Sequence, residues 1–175
     1  MSAWAAKRFW TSTTIATTEH GWQVMLDERV LKTPGKLTLA LPTKALAEAI
    51  AAEWALVDGV INPLRMPLTR LANTALEKVA PLRDEVIAEI AAYGGSDLLC
   101  YRASEPVELV ARQSAIWDPY LNGLAATSDA RLIVTPGVIP VEQPATAVEN
   151  LRAEIAKRNA FGLTCLYEMT AISGS

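Results

Sequence analysis

The sequence predicts an α+β protein with a small antiparallel β domain at residues 1–42, followed by an all-helical C-terminal domain at residues 43–175. Before Pro42, apolar and polar residues alternate, most clearly in residues 22–26, which is typical of a half-buried strand. After Pro42, apolar residues recur at spacings of three and four, which is typical of helices with one buried face. This change of period places the predicted domain boundary.

The N-terminal domain is predicted to form an antiparallel sheet from strands at residues 13–18, 22–26 and 37–41. His20-Gly21 and Pro34-Gly35 supply the turns, because glycine accepts positive φ and proline holds φ near the turn value. His20 is the single histidine of the chain. We expect it to be solvent-exposed at the end of a hairpin.

The first two predicted helices follow directly. Thr43 is placed to cap a helix whose apolar stripe leads to Trp54 and which ends at Asp58-Gly59. An extended link rich in proline comes next, and a second helix is predicted for residues 68–79, stopping near Pro81. The predicted buried stripe of this second helix is Leu68, Leu71, Ala72, Ala75, Leu76 and Val79.

Later helices are predicted from the same periodicity at residues 82–93, 107–124, 148–155 and 163–170. Pro119 is expected to kink or divide the long one, because proline removes a helical hydrogen bond. Residues 98–101 are too short and too apolar to assign, and residues 131–135 are expected to be a short strand or a loop. Trp54 and Trp117 lie on the apolar stripes of their helices, so both are expected in the core.

The helix at residues 68–79 also carries a polar face. Thr69, Arg70, Asn73 and Glu77 fall together, away from the apolar stripe. A polar face is most often merely solvated, and the alternative is that it binds a partner. The spacing alone favours the solvated interpretation.

Composition and motifs argue against several classes of function. The net charge is −3 and the basic residues are scattered, so nucleic-acid binding is not expected. No GxxxxGKS/T, GxGxxG or GxSxG motif is present, so no nucleotide or other cofactor is expected. One histidine allows no two-histidine metal site, and no residue is predicted to be catalytic or a metal ligand. No apolar run reaches the roughly 18 residues that a membrane span needs.

Cys100 and Cys165 lie far apart in apolar segments without a CxxC motif, so both are expected to be reduced and buried. Residues 1–8 lack the layout of a secretory or transit signal, and a cytoplasmic location is predicted. Trp4, Trp10 and Trp22 come from a small sheet with little area to cover them. They are a second candidate for a contact patch.

Carboxylates are the remaining candidates for chemistry. A carboxylate-dependent hydrolase would need Asp97, Asp118 or Glu89 in a deep pocket with raised pKa values. Asp97, Arg102 and Asp118 flank apolar residues and form either structural ion pairs or part of a partner surface. A permanent subunit of a larger complex is a further alternative, since it would present a larger apolar surface.

Several segments, in this order and spacing, resemble the ATP synthase F1 assembly chaperone family, whose members protect the free alpha subunit. The resemblance extends over most of the chain. The segments that carry it are Leu31-Lys32-Thr33-Pro34, Leu41-Pro42-Thr43, Glu53-Trp54, the stretch at residues 66–76, Tyr93-Gly94, the stretch at residues 97–103, Arg112-Gln113 and Trp117-Asp118-Pro119.

The resemblance implies a non-enzymatic chaperone that binds the alpha subunit of F1-ATPase until the beta subunit docks, and that is a monomer when free. It implies a cytoplasmic location in a bacterium, or the mitochondrial matrix for a processed eukaryotic chain. Family members continue with a further helical tail beyond Ser175. The residues expected to bind the partner are Thr69, Arg70, Asn73, Glu77, Asp97, Tyr101 and Arg102.

Overall fold

The computed structural model describes residues 7–175, and these form two compact units, the first ending at Pro81 and the second being Leu82–Ser175. A small antiparallel sheet lies near the N-terminus and mostly helices follow it, which confirms the predicted α+β class. Each unit has its own buried apolar residues.

The sheet of the first unit has the order β1-β2-β3, with strands Thr13–Thr18, Gly21–Leu26 and Arg29–Val30. β1 and β2 pair antiparallel in a register that places Ile15 opposite Val24. The predicted strand at residues 37–41 is wrong as a continuous strand, because it makes only isolated bridges, Trp22 to Leu41 and Lys32 to Thr38. Its apolar residues are nevertheless core residues, Leu39 and Leu41 both being fully buried.

Helix α1, Lys44–Ala55, completes the core over this sheet. Thr43 caps it as predicted, its hydroxyl accepting a hydrogen bond from the Leu46 amide at 3.2 Å. Ala47 and Ile50 are fully buried where α1 packs against β1 and β2. A three-stranded sheet cannot bury its own apolar face, so α1 belongs to the same compact unit. The predicted domain boundary after Pro42 therefore lies inside the first unit, where the chain passes from sheet to helix.

The next helix begins after a 3₁₀ turn, Pro63–Arg65, and its last turn is π-helical. Helix α2 is Pro67–Thr74, with Pro67 at a first-turn position that needs no backbone donor. It runs on into a π-helical segment, Ala75–Val79, in which the Ala80 amide donates to the Ala75 carbonyl at 2.9 Å. Ala72, Ala75 and Val79 are buried as predicted.

The second unit is built from helices α3, Arg83–Tyr93; α4, Val107–Ser128; α5, Ala145–Ile155; and α6, Ala160–Ser173. A 3₁₀ turn at Leu98–Cys100 leads into β4, Tyr101–Arg102, which pairs in parallel with β5, Thr135–Pro136. Helix α3 packs against α5 and α6. At Gly94 a Cβ atom would lie 2.5 Å from the Leu151 side chain, so the close approach of the chain to α5 requires glycine.

Two predictions for this unit concern a proline and the cysteines. Helix α4 continues through Pro119, so of the two predicted outcomes, a kink or a division, the division does not occur. Cys165 is exposed, whereas Cys100 is fully buried as predicted. Helix α6 is apolar on most sides, so the apolar surroundings of Cys165 in the sequence could not show which side faces inward.

The two tryptophans predicted for the core are half-buried. Trp54 packs against Trp10, with ring centroids 5.1 Å apart, and Trp117 lies under the Arg102 guanidinium at 5.2 Å. Trp10 is 2% exposed and Trp22 is half-buried, which contradicts an open patch at Trp10. Trp4 lies outside the described residues.

Candidate functional site

The polar face of α2 points largely into the first unit. The Thr69 side chain is buried, with 7% of its surface exposed. Its hydroxyl donates to Glu53 at 2.6 Å and accepts from the Trp54 indole at 3.1 Å. The Glu53 carboxylate also accepts from the Leu68 and Thr69 amides at 2.7 and 2.9 Å, so it satisfies orphan donors at the start of α2. Thr69 is therefore a structural residue that joins α1 to α2.

Arg70 and Asn73 occupy a different place, beside a cavity of about 250 Å³ in the first unit. Arg70 is exposed and Asn73 is half-buried. Its walls are apolar side chains together with the turn at residues 32–35, which is far from α2 in the sequence. The cavity is lined by Lys32, Thr33, Pro34, Trp54, Ile61, Pro63, Met66, Thr69, Arg70 and Asn73.

Glu77 binds the turn at residues 32–35 from α2's π-helical end. Its carboxylate accepts a hydrogen bond from the Gly35 amide. The Thr33 hydroxyl and this amide hold the pKa of the Glu77 carboxyl below its usual value of 4.5. A Cβ atom on Gly35 would lie 2.7 Å from the carboxylate oxygen, so glycine permits the close approach. Glu77 thus clamps the turn that carries Lys32, a wall of the cavity.

The predicted residues of the second unit form a separate cluster. Arg102 is 6% exposed, donates to Asp118 at 2.8 Å and to the Leu99 carbonyl at 2.6 Å, and lies over Trp117. Asp97 accepts a hydrogen bond from the Leu99 amide at 2.8 Å. A guanidinium buried in this way anchors the junction between β4 and α4 through its bonds to Leu99 and Asp118.

Tyr101, the third predicted residue of this cluster, is half-buried in β4. It pairs with Thr135 of β5 in the parallel ladder.

The three carboxylates considered for a hydrolase do not share one pocket. Glu89 accepts from the Tyr167 hydroxyl at 3.0 Å, while Asp97 and Asp118 line two different cavities.

A surface that the sequence did not predict lies on α4. None of the 22 residues of this helix is buried. The apolar stripe that the helical spacing predicts for residues 107–124 is half-buried from Val110 to Leu124, but Val107 at its start is 78% exposed. An adjacent side of the helix shows Leu109, Ile116 and Tyr120 with 42%, 50% and 68% of their surface exposed. These three residues, called the α4 apolar face below, share one side of the helix because they are spaced by seven and four. The sequence predicted one apolar side for this helix, and these three residues lie outside that side.

Within residues 7–175, no three His, Cys, Asp or Glu side chains are arranged to hold a metal ion. No helix in the same part of the chain is both long enough and apolar enough to span a bilayer. Each unit thus has a feature that is typical of proteins that contact other proteins: the first has an apolar cavity lined in part by cationic residues, and the second has a helix with an exposed apolar side.

Comparison with known proteins gives the family. The chain belongs to the ATP12 chaperone protein family, whose model matches residues 7–125. The resemblance to assembly chaperones drawn from the sequence motifs is thereby confirmed.

Solved structures agree with this assignment. A point mutant of Atp12p from Paracoccus denitrificans matches with a TM-score of 0.93 at 52% identity, over 99% of this chain and 74% of that one. Atp12 from Paracoccus denitrificans gives 0.91 at 52% identity, over 97% and 73%. The Atu1473 protein of Agrobacterium tumefaciens, a chaperone candidate, gives 0.87 at 38% identity, over 97% and 64%.

Proposed function

We propose that this chaperone binds the unassembled alpha subunit of the F1 sector of ATP synthase and prevents its aggregation until the beta subunit replaces it. Membership of the ATP12 chaperone family carries the proposal. A free subunit exposes the surface meant for its neighbour, and contiguous apolar surface of that kind aggregates unless it is covered. The chaperone acts in the cytoplasm as a monomer, without nucleotide.

Two surfaces are candidates for contact with the client. In the first unit, Arg70 and Asn73 stand at the cavity with side chains that make no hydrogen bond or ion pair to other described residues. In the second unit, the α4 apolar face exposes side chains large enough to act as anchors. Thr69, Glu77 and Arg102 support these surfaces from within.

The test is capture of the client in nucleotide-free buffer. Purified alpha subunit is diluted from denaturant into the chaperone, and light scattering and co-elution on gel filtration are measured. Arg70→Glu and Ile116→Asp should each weaken suppression of aggregation by about tenfold or more, as expected for residues near an interface centre. Arg152→Glu is the matched control, because Arg152 is an exposed helical arginine of α5.

Absence of a co-eluting complex with the parent protein would refute the proposed client. If the parent captures the alpha subunit and both variants do so equally well, the function stands and these two surfaces are not the contact sites. Circular dichroism of every variant separates lost binding from lost folding.

A further inference from the structure

The cavity beside Arg70 and Asn73 has the size of a site for one side chain. Its volume of about 250 Å³ is below the roughly 300–1,000 Å³ typical of small-molecule pockets. Its apolar walls are Pro34, Trp54, Ile61, Pro63 and Met66. A single aliphatic or aromatic side chain would be largely removed from water there.

The walls are held in place before any ligand arrives. The Trp54 indole is oriented by its hydrogen bond to Thr69, which is itself held by Glu53. On the opposite side, Glu77 binds the Gly35 amide next to Pro34. Fixed walls lower the entropy cost of binding, so a small contact area can still give measurable affinity.

The charges at the rim have one sign. Lys32 and Arg70 line the cavity, both are exposed, and neither side chain forms an ion pair within residues 7–175. Two acidic groups of the same unit, Glu53 and Glu77, are engaged with backbone amides. A peptide with a carboxylate beside its apolar side chain would complement this rim.

We propose that the cavity recognises an extended client segment in which one large apolar residue enters between Trp54 and Pro34, and an adjacent Asp or Glu pairs with Lys32 and Arg70. This inference rests on the proposed function, since it defines the chemistry of the client segment that the chaperone reads. The Asn73 amide, half-buried at the same rim, lies where it can bond the backbone of that segment.

The experiment uses capped dipeptides as probes and the full chain. N-acetyl-Leu-Glu-amide is titrated against ¹⁵N-labelled protein, and the Trp54 indole N–H signal, assigned with Trp54→Phe, is followed. N-acetyl-Leu-Gln-amide and N-acetyl-Gly-Glu-amide are the comparison probes. The Leu-Glu probe should bind about threefold to tenfold tighter than Leu-Gln at low salt, the range expected for two exposed ion pairs. Gly-Glu should leave the Trp54 signal in place.

The variant Lys32→Gln/Arg70→Gln should remove the preference for Glu over Gln while retaining binding of the leucine side chain. Arg152→Gln should keep both. Equal affinity for Leu-Glu and Leu-Gln, or a Trp54 signal that no probe moves, overturns the inference even if the alpha subunit is captured. Selective binding of Leu-Glu without capture of the alpha subunit supports the inference and overturns the proposed client instead.

Discussion

The hydrogen-bond relay at the start of α2 gives the sharpest prediction for stability. Glu53 accepts three hydrogen bonds from the first turn of α2, two from backbone amides and one from the Thr69 hydroxyl. Replacing Glu53 with alanine removes a cap, which costs about 0.5–2 kcal/mol. It also leaves the buried Thr69 hydroxyl without its acceptor, which costs about 1–3 kcal/mol. We therefore expect Glu53→Ala to lower the free energy of unfolding by about 3 kcal/mol.

The assay is urea unfolding followed by tryptophan fluorescence in a Trp117→Phe background, so that the described tryptophans remaining all lie in the first unit. Glu48→Ala is the matched control, because Glu48 is an exposed residue of the same helix whose contact with Lys44 spans one turn. We expect its effect to be within about 0.5 kcal/mol. Equal effects of the two substitutions would refute the role assigned to Glu53.

Three further predictions concern turns, thiols and pH. Gly21→Ala should lower the free energy of unfolding in urea by about 2–4 kcal/mol, because φ is +119° and a Cβ atom would lie 2.5 Å from the Leu41 carbonyl oxygen. Gly59→Ala is the control, since Gly59 also has positive φ but has open space around it, and it should cost about 1 kcal/mol. Equal costs at the two positions would contradict the clash at Gly21. Cys165 is exposed and should react with dithiobis-nitrobenzoate in the native protein. Burial raises the pKa of the Cys100 thiol to about 11, so Cys100 should stay unreactive until the protein unfolds. Two rapidly reacting thiols in the native protein would contradict this. The lowered pKa of Glu77 means that its contribution to stability is complete above pH 4.5 and is lost as the pH falls through the lower folded-state value. The stability difference between the parent and Glu77→Gln should therefore shrink as the pH falls from about 5 to about 3, and a constant difference would exclude titration of Glu77 as its source.

The sequence was sufficient to predict the fold class and most helices, because long periodic segments such as α1 and α3 depend on a local pattern. The cap at Thr43 was also predictable from neighbouring residues. The segment at residues 37–41 was harder, since a buried alternating stretch needs a full ladder on a neighbour to become a strand, and that ladder depends on the path of the chain.

The candidate site was predicted in part. Arg70 and Asn73 do lie beside a cavity, but Thr69 is buried because Glu53, 16 positions earlier in the chain, reaches its hydroxyl. Such a contact has no signature in the spacing of α2. Likewise, the second wall of the cavity comes from Lys32 and its neighbours. These residues lie beside α2 only because the turn that carries them packs against this helix.

The widened turn at Ala75–Val79 determines which way the end of that helix faces. Each residue of an ordinary α-helix turns the chain by about 100°, and a π-helical turn takes in one residue more than an α-helical turn. Regular α-helical winding of the same residues would rotate the side chains beyond this point by roughly that angle, and Val79 would turn away from the core in which it is buried. Among related sequences, a single-residue gap at this point would therefore mark proteins whose helix winds regularly here and still buries the same face.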